Sequence, residues 1–297
     1  MEEQTKKHWH DKSYKYLLII PAALILFSIF YLGIFYSNHG TLFNKDISLT
    51  GGTSITIYDK LDISELNIVL QDKLDNLAIR DISDLLTQEQ IAVTIETTSD
   101  VDVSTKAIED FIGYELISGE NSDIISTGSS FGESFYRQLI IAILVAFLFM
   151  AIVIFIIFRD LVPSGAVIIS AFADILMTLV VINMLGIKMS GAGIIALLML
   201  IGYSVDTDIL LTNRVLKRHE GSLNERISGA FKTGMTMTMT SFVAMAIALI
   251  VARSFSEILT QIFTILVIGL LFDILNTWIT NTSILKWYFY KKHEGLK

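Results

Sequence analysis

The sequence predicts an all-α membrane bundle of six transmembrane helices with a small α+β domain inserted between the first and second helices. Hydrophobic residues make up 53% of the 297 positions, and they are gathered into six long runs. A helix that crosses about 30 Å of hydrocarbon needs about 20 mostly apolar residues, which these runs supply. Only one polar stretch is long enough to form a domain, and its pattern favours a ferredoxin-like sandwich.

The six runs divide the chain into three parts. Residues 1–37 hold a polar N-terminus and the first helix, residues 38–136 form the inserted domain, and residues 137–297 hold the other five helices. The runs themselves cover residues 16–36, 139–158, 164–185, 191–212, 234–252 and 258–285. The first run is longer than a signal-peptide core and no small-residue cleavage pattern follows it, so we expect an uncleaved signal anchor.

Lysine and arginine predict the orientation, because cytoplasmic loops of membrane proteins carry an excess of both. With the N-terminus inside, the cytoplasmic pieces hold 14 of these residues, whereas the two short outer loops carry only Lys188 and Arg253. We therefore expect a multi-pass protein of the plasma membrane with both termini in the cytoplasm. Residues 38–136 are then extracytoplasmic.

The inserted domain shows the pattern strand, helix, strand, helix, strand. Residues 54–58 and 91–95 alternate as strands do, and residues 63–79 have helical spacing. Ser104 is the expected N-cap of the second helix, and residues 124–125 begin a final extended segment. Helices on one face of a sheet would account for this order.

Charge and composition exclude several functions. Residues 38–136 hold 18 acidic and 5 basic residues, and such an acidic surface does not favour nucleic acid. Solubility explains this charge most simply, although a docking face for a basic polypeptide is the sharper alternative. The chain has no cysteine, no phosphate-binding loop and no catalytic constellation. We therefore expect no enzyme activity, no cofactor and no metal.

Three stretches are unusual enough to carry function. Leu49-Thr-Gly-Gly-Thr53 precedes the inserted domain, and Gly128-Ser-Ser-Phe-Gly132 precedes the second helix. A simple turn and a flexible joint are the plain explanations of these two. The third, 202–214, reads Gly-Tyr-Ser-Val-Asp-Thr-Asp-Ile-Leu-Leu-Thr-Asn-Arg and lies in the fourth helix. An aspartate at a helix centre costs about 2.5–3.5 kcal/mol on insertion scales, so its two acids require an explanation.

Five charged residues lie at membrane depth: Asp174, Asp206, Asp208, Arg214 and Asp273. At 1.5 Å per residue, Asp174 is about 15 Å deep, and Asp206 and Asp208 are about 12 and 9 Å from the cytoplasmic end of their helix. Asp206 and Asp208 are separated by about 200° of rotation around their helix, so one can face this bundle and the other a partner. Hydrogen-bonded helix packing is the alternative for the acids, and a role as an interfacial anchor is the alternative for Arg214.

These stretches resemble the SecF family, the smaller membrane subunit of the SecD–SecF protein-export complex. Six helices with a large outer domain after the first is the layout of that family. The residues that carry the likeness are Thr50, Gly51, Gly52, Thr53, Gly128, Gly132, Gly202, Tyr203 and Ser204, together with Asp174 in the third helix. Ser48, Ser129, Asp206, Thr207 and Asn213 depart from the bacterial pattern and are more typical of archaeal members.

The resemblance implies a subunit related to the resistance–nodulation–division transporters. It would use the ion gradient, or proton motive force, to assist polypeptide export through a SecY-type channel. The implied partners are a SecD-like paralogue in a heterodimer, the channel complex, the translocating polypeptide and membrane lipid. The absence of an internal repeat independently favours a paralogous partner. Two alternatives are a half-size exporter of small molecules or lipids and a membrane-anchored receptor with a ligand-binding outer domain.

Overall fold

The computed structural model describes residues 16–84, 87, 89–217, 220–254 and 256–294. Along these residues, one membrane-length helix comes before the strands of a single sheet, and the other membrane-length helices come after them. They are α1 (Ile19–His39), α2 (Ile47–Thr50), β1 (Gly52–Ile57), α3 (Ile63–Leu70), β2 (Ala78–Ser83), β3 (Gln90–Thr97), α4 (Val101–Ile112), β4 (Ser122–Thr127), α5 (Ser129–Phe158), α6 (Leu161–Met184), α7 (Gly191–Lys217), α8 (Leu223–Ala252), α9 (Glu257–Leu275), a π-helix (Asn276–Asn281) and α10 (Thr282–Glu294).

Six helical segments of the described chain are long and apolar enough to cross a membrane, which confirms the predicted architecture. They are α1, α5, α6, α7, α8 and the composite segment Glu257–Lys292. The spans α6 and α7 lie in the centre of the bundle, because about two-thirds and over half of their most apolar stretches are buried. The spans α1, α5 and α8 lie at its periphery and expose most of their apolar side chains.

Two helices begin well before their predicted starts, and the last span continues to Lys292 rather than ending at residue 285. Span α5 begins at Ser129 rather than at residue 139, and α8 begins at Leu223 rather than at residue 234. Both early starts carry polar residues, which hydropathy alone assigns to loops. A capping box explains the second start, since the Ser222 hydroxyl accepts from the Glu225 amide and the Glu225 carboxylate accepts from the Ser222 amide.

The inserted domain, defined here as residues 47–127, is a four-stranded antiparallel sheet in the order β2-β3-β1-β4. The chain order β-α-β-β-α-β with this strand order is the ferredoxin-like arrangement, as the sequence predicted. Ile55, Ile57, Val93 and Ile95 point to the face covered by α3 and α4, where they form a core with Leu66 and others that is separate from that of the bundle.

Sequence reasoning missed one strand of this sheet. The predicted helix over 63–79 ends at Leu70, and β2 begins at Ala78. The backbone of the intervening turn is bonded to the segment after β3: the Thr97 hydroxyl donates to the Asp75 carbonyl at 2.7 Å, and the Thr98 amide donates to it at 3.1 Å. Asn76, in the same turn, adopts a left-handed conformation with φ of 51°, which asparagine tolerates better than most residues.

The predicted cap at Ser104 was also wrong. Helix α4 begins at Val101 after Asp100, and Ser104 is buried in its first turns. The Ser104 hydroxyl donates to the Asp100 carbonyl four residues earlier, at 2.8 Å, so Ser104 bonds as a residue inside the helix and not as its cap. Serine is common in both situations, and only the tertiary position separates them.

Candidate functional site

Three carboxyl groups meet in the interior of the bundle. Asp174 on α6, Asp208 on α7 and Asp273 on α9 each have no exposed surface. Adjacent side chains connect them, because Asn276 bonds Asp174 and the next residue, Thr277, bonds Asp273. Three separate spans therefore supply one acidic cluster at membrane depth, referred to below as the acid cluster.

Asp174 is bonded by two neutral donors. The Ser204 hydroxyl of α7 donates to its Oδ2 atom at 2.6 Å, and the Asn276 amide donates to its Oδ1 atom at 2.7 Å. Thr280 in turn donates to the Asn276 side-chain oxygen at 3.1 Å, which fixes the orientation of that amide. Asp174 thus joins α6 to α7 and to the segment after α9.

Asp208 has a less complete set of partners. The Asn281 amide donates to its Oδ1 atom at 2.7 Å. Its buried Oδ2 atom has no hydrogen-bond partner among the described residues, and the same holds for the nearby Ser170 hydroxyl. Leaving a buried polar atom without a partner costs about 1–3 kcal/mol, so Asp208 is less well satisfied than Asp174.

Two hydroxyl groups each lie between two acids. The Thr277 hydroxyl donates to Asp273 at 3.1 Å and also lies near Asp208. Ser204, bonded to Asp174, lies near Asp273 as well. Since a hydroxyl can both donate and accept, Ser204 and Thr277 can exchange hydrogen bonds among all three acids.

A π-helix explains why so many polar groups of the last span point inward. Residues Asn276–Asn281 widen the helix between α9 and α10, and the Thr282 hydroxyl donates to the Thr277 carbonyl at 3.0 Å. Within that turn Asn276, Thr277, Thr280 and Asn281 are all buried. Single π turns within α-helices occur frequently at functional sites.

The other two membrane charges lie apart from this cluster. Asp206 is exposed on the outer surface of α7, as is Gly202 one turn before it. The rotation between Asp206 and Asp208 therefore puts the two carboxyls on opposite sides of the helix. Arg214 donates to the Thr233 hydroxyl of α8 at 2.9 Å, which places it against α8 rather than among the acids.

The two glycine stretches lie together at the base of the inserted domain. Gly51 and Gly52 have φ values of 80° and 135°, which only glycine adopts readily, and Gly132 packs on the backbone of Gly51. Gly128 precedes the first turn of α5. The flanking threonines act locally: Thr50 donates to the Asp46 carbonyl, and the buried Thr53 donates to the Ser99 carbonyl at 2.9 Å.

Sequence reasoning identified the three acids but not the contacts around them. Ser204 shares the buried side of α7 with Asp208 and bonds Asp174 on α6. Asn276 and Asn281 lie close after Asp273 in the sequence, and they bond Asp174 and Asp208. Ser170 and Thr277 were not identified. Polar residues at membrane depth were the available signal for both. Tyr203 packs against the main core of the bundle.

Comparisons with known proteins give one consistent family. A sequence profile described as "Protein export membrane protein SecD/SecF, C-terminal" matches residues 113–291. The chain is 41% identical over 283 residues to the protein-export membrane protein SecF of Methanocaldococcus jannaschii, covering 93% of this chain and 96% of that one. It is 40% identical to SecF of Methanothermobacter thermautotrophicus, with 93% of each chain covered. SecF of Haloferax volcanii is 34% identical, with coverage of 94% and 93%.

Two solved structures share the fold. The first is SecDF of Thermus thermophilus, described as a translocon-associated membrane protein, with a TM-score of 0.71 at 17% identity. The second is SecDF in a super-membrane-facing form, with a TM-score of 0.61 at 17% identity. The matches cover 93% and 96% of this chain but only 38% and 39% of the solved chains. This chain therefore spans well under half the length of those proteins.

Proposed function

Because this chain belongs to the SecF family of protein-export membrane proteins, we propose that it uses an ion gradient across the membrane to assist polypeptide export through the Sec channel. Family membership supports the role in Sec-associated export. The coupling to a gradient rests on the acid cluster. The single observation that carries it is the burial of Asp174, Asp208 and Asp273 together, with no exposed surface on any of them.

The cost of burying three acids argues against a purely structural role. An aspartate at a helix centre costs about 2.5–3.5 kcal/mol on insertion scales, and ionisable residues inside a membrane are functional candidates by default. Asparagine or serine in place of each acid would keep the hydrogen bonds between the helices without that cost. A sequence that retains three acids in one place is therefore better explained by ion binding than by helix packing.

The donors around the cluster suit a group that changes its charge. Ser204, Asn276, Thr277 and Asn281 are neutral, so they do not hold the acids permanently ionised as an arginine would. When an acid takes up or releases a proton, the serine and threonine hydroxyls can reverse their hydrogen bonds. Such a change alters the contacts among α6, α7 and the π-helix, because the cluster is where these segments meet.

Asp206 supports a paralogous membrane partner. It is exposed on a membrane-spanning helix about 12 Å from the cytoplasmic end, where contact with lipid would be costly. A second six-helix subunit covering this face of α7 would shield the carboxyl. The solved SecDF chains are more than twice as long as this one, which is consistent with a separate SecD-like chain here. The Sec channel and the exported polypeptide are the further proposed partners.

The distribution of lysine and arginine supports an orientation with both termini in the cytoplasm. Lys217, Arg226 and Lys232 lie at one end of the bundle, and the inserted domain lies at the other. The inserted domain, within residues 38–136, is then extracytoplasmic, where it can meet a polypeptide that emerges from the channel.

Export in proteoliposomes tests the coupling. The chain is reconstituted with its partner and the Sec channel, and export is measured with and without an imposed gradient. Asp174→Asn, Asp208→Asn and Asp273→Asn should assemble normally and lose the stimulation by the gradient, because asparagine keeps the size and the hydrogen bonding but cannot titrate. Asp72→Asn, at an exposed turn of the inserted domain, is the control. Full stimulation in all three cluster variants would contradict the proposal.

A further inference from the structure

The turn between α6 and α7 is held directly by the segment of residues 42–46, which leads from α1 into the inserted domain. The Met189 amide donates to the Asn44 carbonyl at 2.7 Å, and the Asp46 amide donates to the Met189 carbonyl at 3.0 Å. Asn183, at the end of α6, donates to the Leu42 carbonyl at 2.8 Å. These two backbone bonds and one side-chain bond fix the segment before the sheet onto the helix pair that carries Asp174 and Asp208.

The same turn is held from its other side by α9. The Gln261 amide donates to the Lys188 carbonyl at 2.5 Å, and the Gln261 oxygen accepts from the Ser190 amide at 3.1 Å. The Ser190 hydroxyl donates to that oxygen as well. The turn thus lies between the inserted domain and the span that carries Asp273, so a shift of the turn is felt by all three helices of the acid cluster.

A charged contact connects the sheet itself to this turn. Glu96 on β3 is almost completely buried, with 5% of its surface exposed. Its Oε2 atom lies 3.6 Å from the Lys188 ammonium group and 3.3 Å from the Arg80 guanidinium group of β2. Arg80 also forms an ion pair with Glu257 at the start of α9. Two elements of the sheet and two of the bundle therefore share one ionic cluster.

We propose that Lys188 keeps the inserted domain docked on the α6–α7 turn by compensating the buried charge of Glu96. Glu96 lies on the face of the sheet opposite α3 and α4, and this face is turned toward the bundle. Lys188 stands on the turn, so any lifting of the sheet must separate these two charges. The docking contact follows from the geometry alone, whereas its consequence for export rests on the proposed function.

The buried carboxyl of Glu96 makes this contact sensitive to the loss of a cation. Burial raises the pKa of Glu96, and the neighbouring Asp46 raises it further, whereas Arg80 and Lys188 lower it. An ionised Glu96 in this place therefore depends on its cations. Removing Lys188 leaves a buried carboxylate with less compensation, and removing one partner of a buried pair is more disruptive than removing both.

Spin-label distances in the full chain test the contact. The chain has no cysteine, so cysteines introduced for labelling at exposed Asp72 of the inserted domain and exposed Arg253 of the bundle are the only reactive thiols. In lipid nanodiscs at pH 7.5 the parent protein should give one narrow distance. Lys188→Met should add a longer, broader population. The double variant Glu96→Gln with Lys188→Met should restore the narrow distance, because no buried charge remains.

Lys60→Met is the matched control, since Lys60 forms an exposed ion pair with Glu89 in the same domain at 2.6 Å. It should leave the distance unchanged. A narrow distance in Lys188→Met overturns the proposal, and a broad distance that persists in the double variant shows that packing by the lysine stem, rather than its charge, holds the domain. Either result rejects compensation of the Glu96 charge by Lys188 as the reason that the domain stays docked.

Export supplies the second measurement. Lys188→Met should reduce the stimulation by the gradient severalfold, and the double variant should recover it. If the distance changes as expected but export does not, the docking contact stands and its coupling role fails. If the parent protein shows no stimulation by any gradient, the proposed function fails while the distance result remains valid, so the two failures are distinguishable.

Discussion

Gly132 lies against the backbone of Gly51, so closely that a Cβ atom on Gly132 would be 2.7 Å from the Gly51 nitrogen. Gly132 lies in the first turn of span α5, and Gly51 precedes strand β1, about 80 residues earlier in the chain. The two ends of the inserted domain therefore meet at one glycine pair. This contact makes the base of the domain a packed junction, whereas each stretch alone suggested only a turn or a flexible joint.

Gly132→Ala should destabilise the protein at this junction. The added methyl group would meet backbone atoms of Gly51, Leu49 and Thr50, which cannot move aside as a side chain can. Overpacking of this kind costs about 1–3 kcal/mol. Gly128→Ala is the control, because a Cβ there meets nothing within 4 Å. Thermal unfolding of the purified chain in nanodiscs measures the difference, and equal midpoints for both variants would contradict the packing argument.

Asn281→Leu should destabilise the bundle through Asp208. The substitution removes the donor at 2.7 Å and leaves the carboxyl of Asp208 without its close partner. Leaving a buried polar group unsatisfied costs about 1–3 kcal/mol. The double variant with Asp208→Leu should recover most of this loss, since two apolar side chains then pack together. Exposed Asn67→Leu is the control. Additive losses in the double-mutant cycle would show that the two side chains do not interact.

Asp206→Leu should weaken binding of the proposed membrane partner. Asp206 is exposed, so its replacement should leave the thermal stability of the isolated chain within about 0.5 kcal/mol of the parent. Affinity purification from native membranes in mild detergent should then recover severalfold less of a larger SecD-like chain. Ile247→Leu, at an exposed position of α8, is the control. Unchanged recovery with Asp206→Leu would place the partner on another face.

Glu96 should make stability depend on pH in a defined direction. Its pKa is raised above 4.5 in the folded protein by burial, so the stability that it contributes is present below pH 4.5 and is lost as the pH rises through the raised pKa. Relative to Glu96→Gln, the parent protein should therefore lose stability between pH 4.5 and pH 7.5. Melting midpoints of both proteins across this range measure the effect, and a constant difference would contradict it.

Glu89→Gln is the control for that pH series. Its pKa is lowered by the hydrogen bond from Lys60, so any contribution has the opposite sign and is present at neutral pH. Because Glu89 is exposed, its pair with Lys60 is screened by solvent and the effect should be small. Both glutamates lie beside a cation, so comparing them tests whether burial decides the direction in which stability changes with pH.

Several features of the fold follow from local patterns in the sequence. The spans could be located because the bilayer requires long apolar runs, and the inserted domain could be located because it interrupts them. The opposite placement of Asp206 and Asp208 follows from the rotation of about 100° per residue in a helix. Strand β2 could not be found in this way, since its preceding turn is fixed by bonds from Thr97 and Thr98 to Asp75.

By itself the sequence determined the six spans and the presence of an inserted domain between the first two, because these depend on composition and on spacing along the chain. Only the tertiary structure decided that Asp174 bonds Ser204 and Asn276, which are 30 and 102 positions away. It also decided that Glu96 meets Lys188 and that Gly132 meets Gly51. Those contacts join segments far apart in the chain, and their geometry is set by helix packing and a π-helical turn, which no local periodicity encodes.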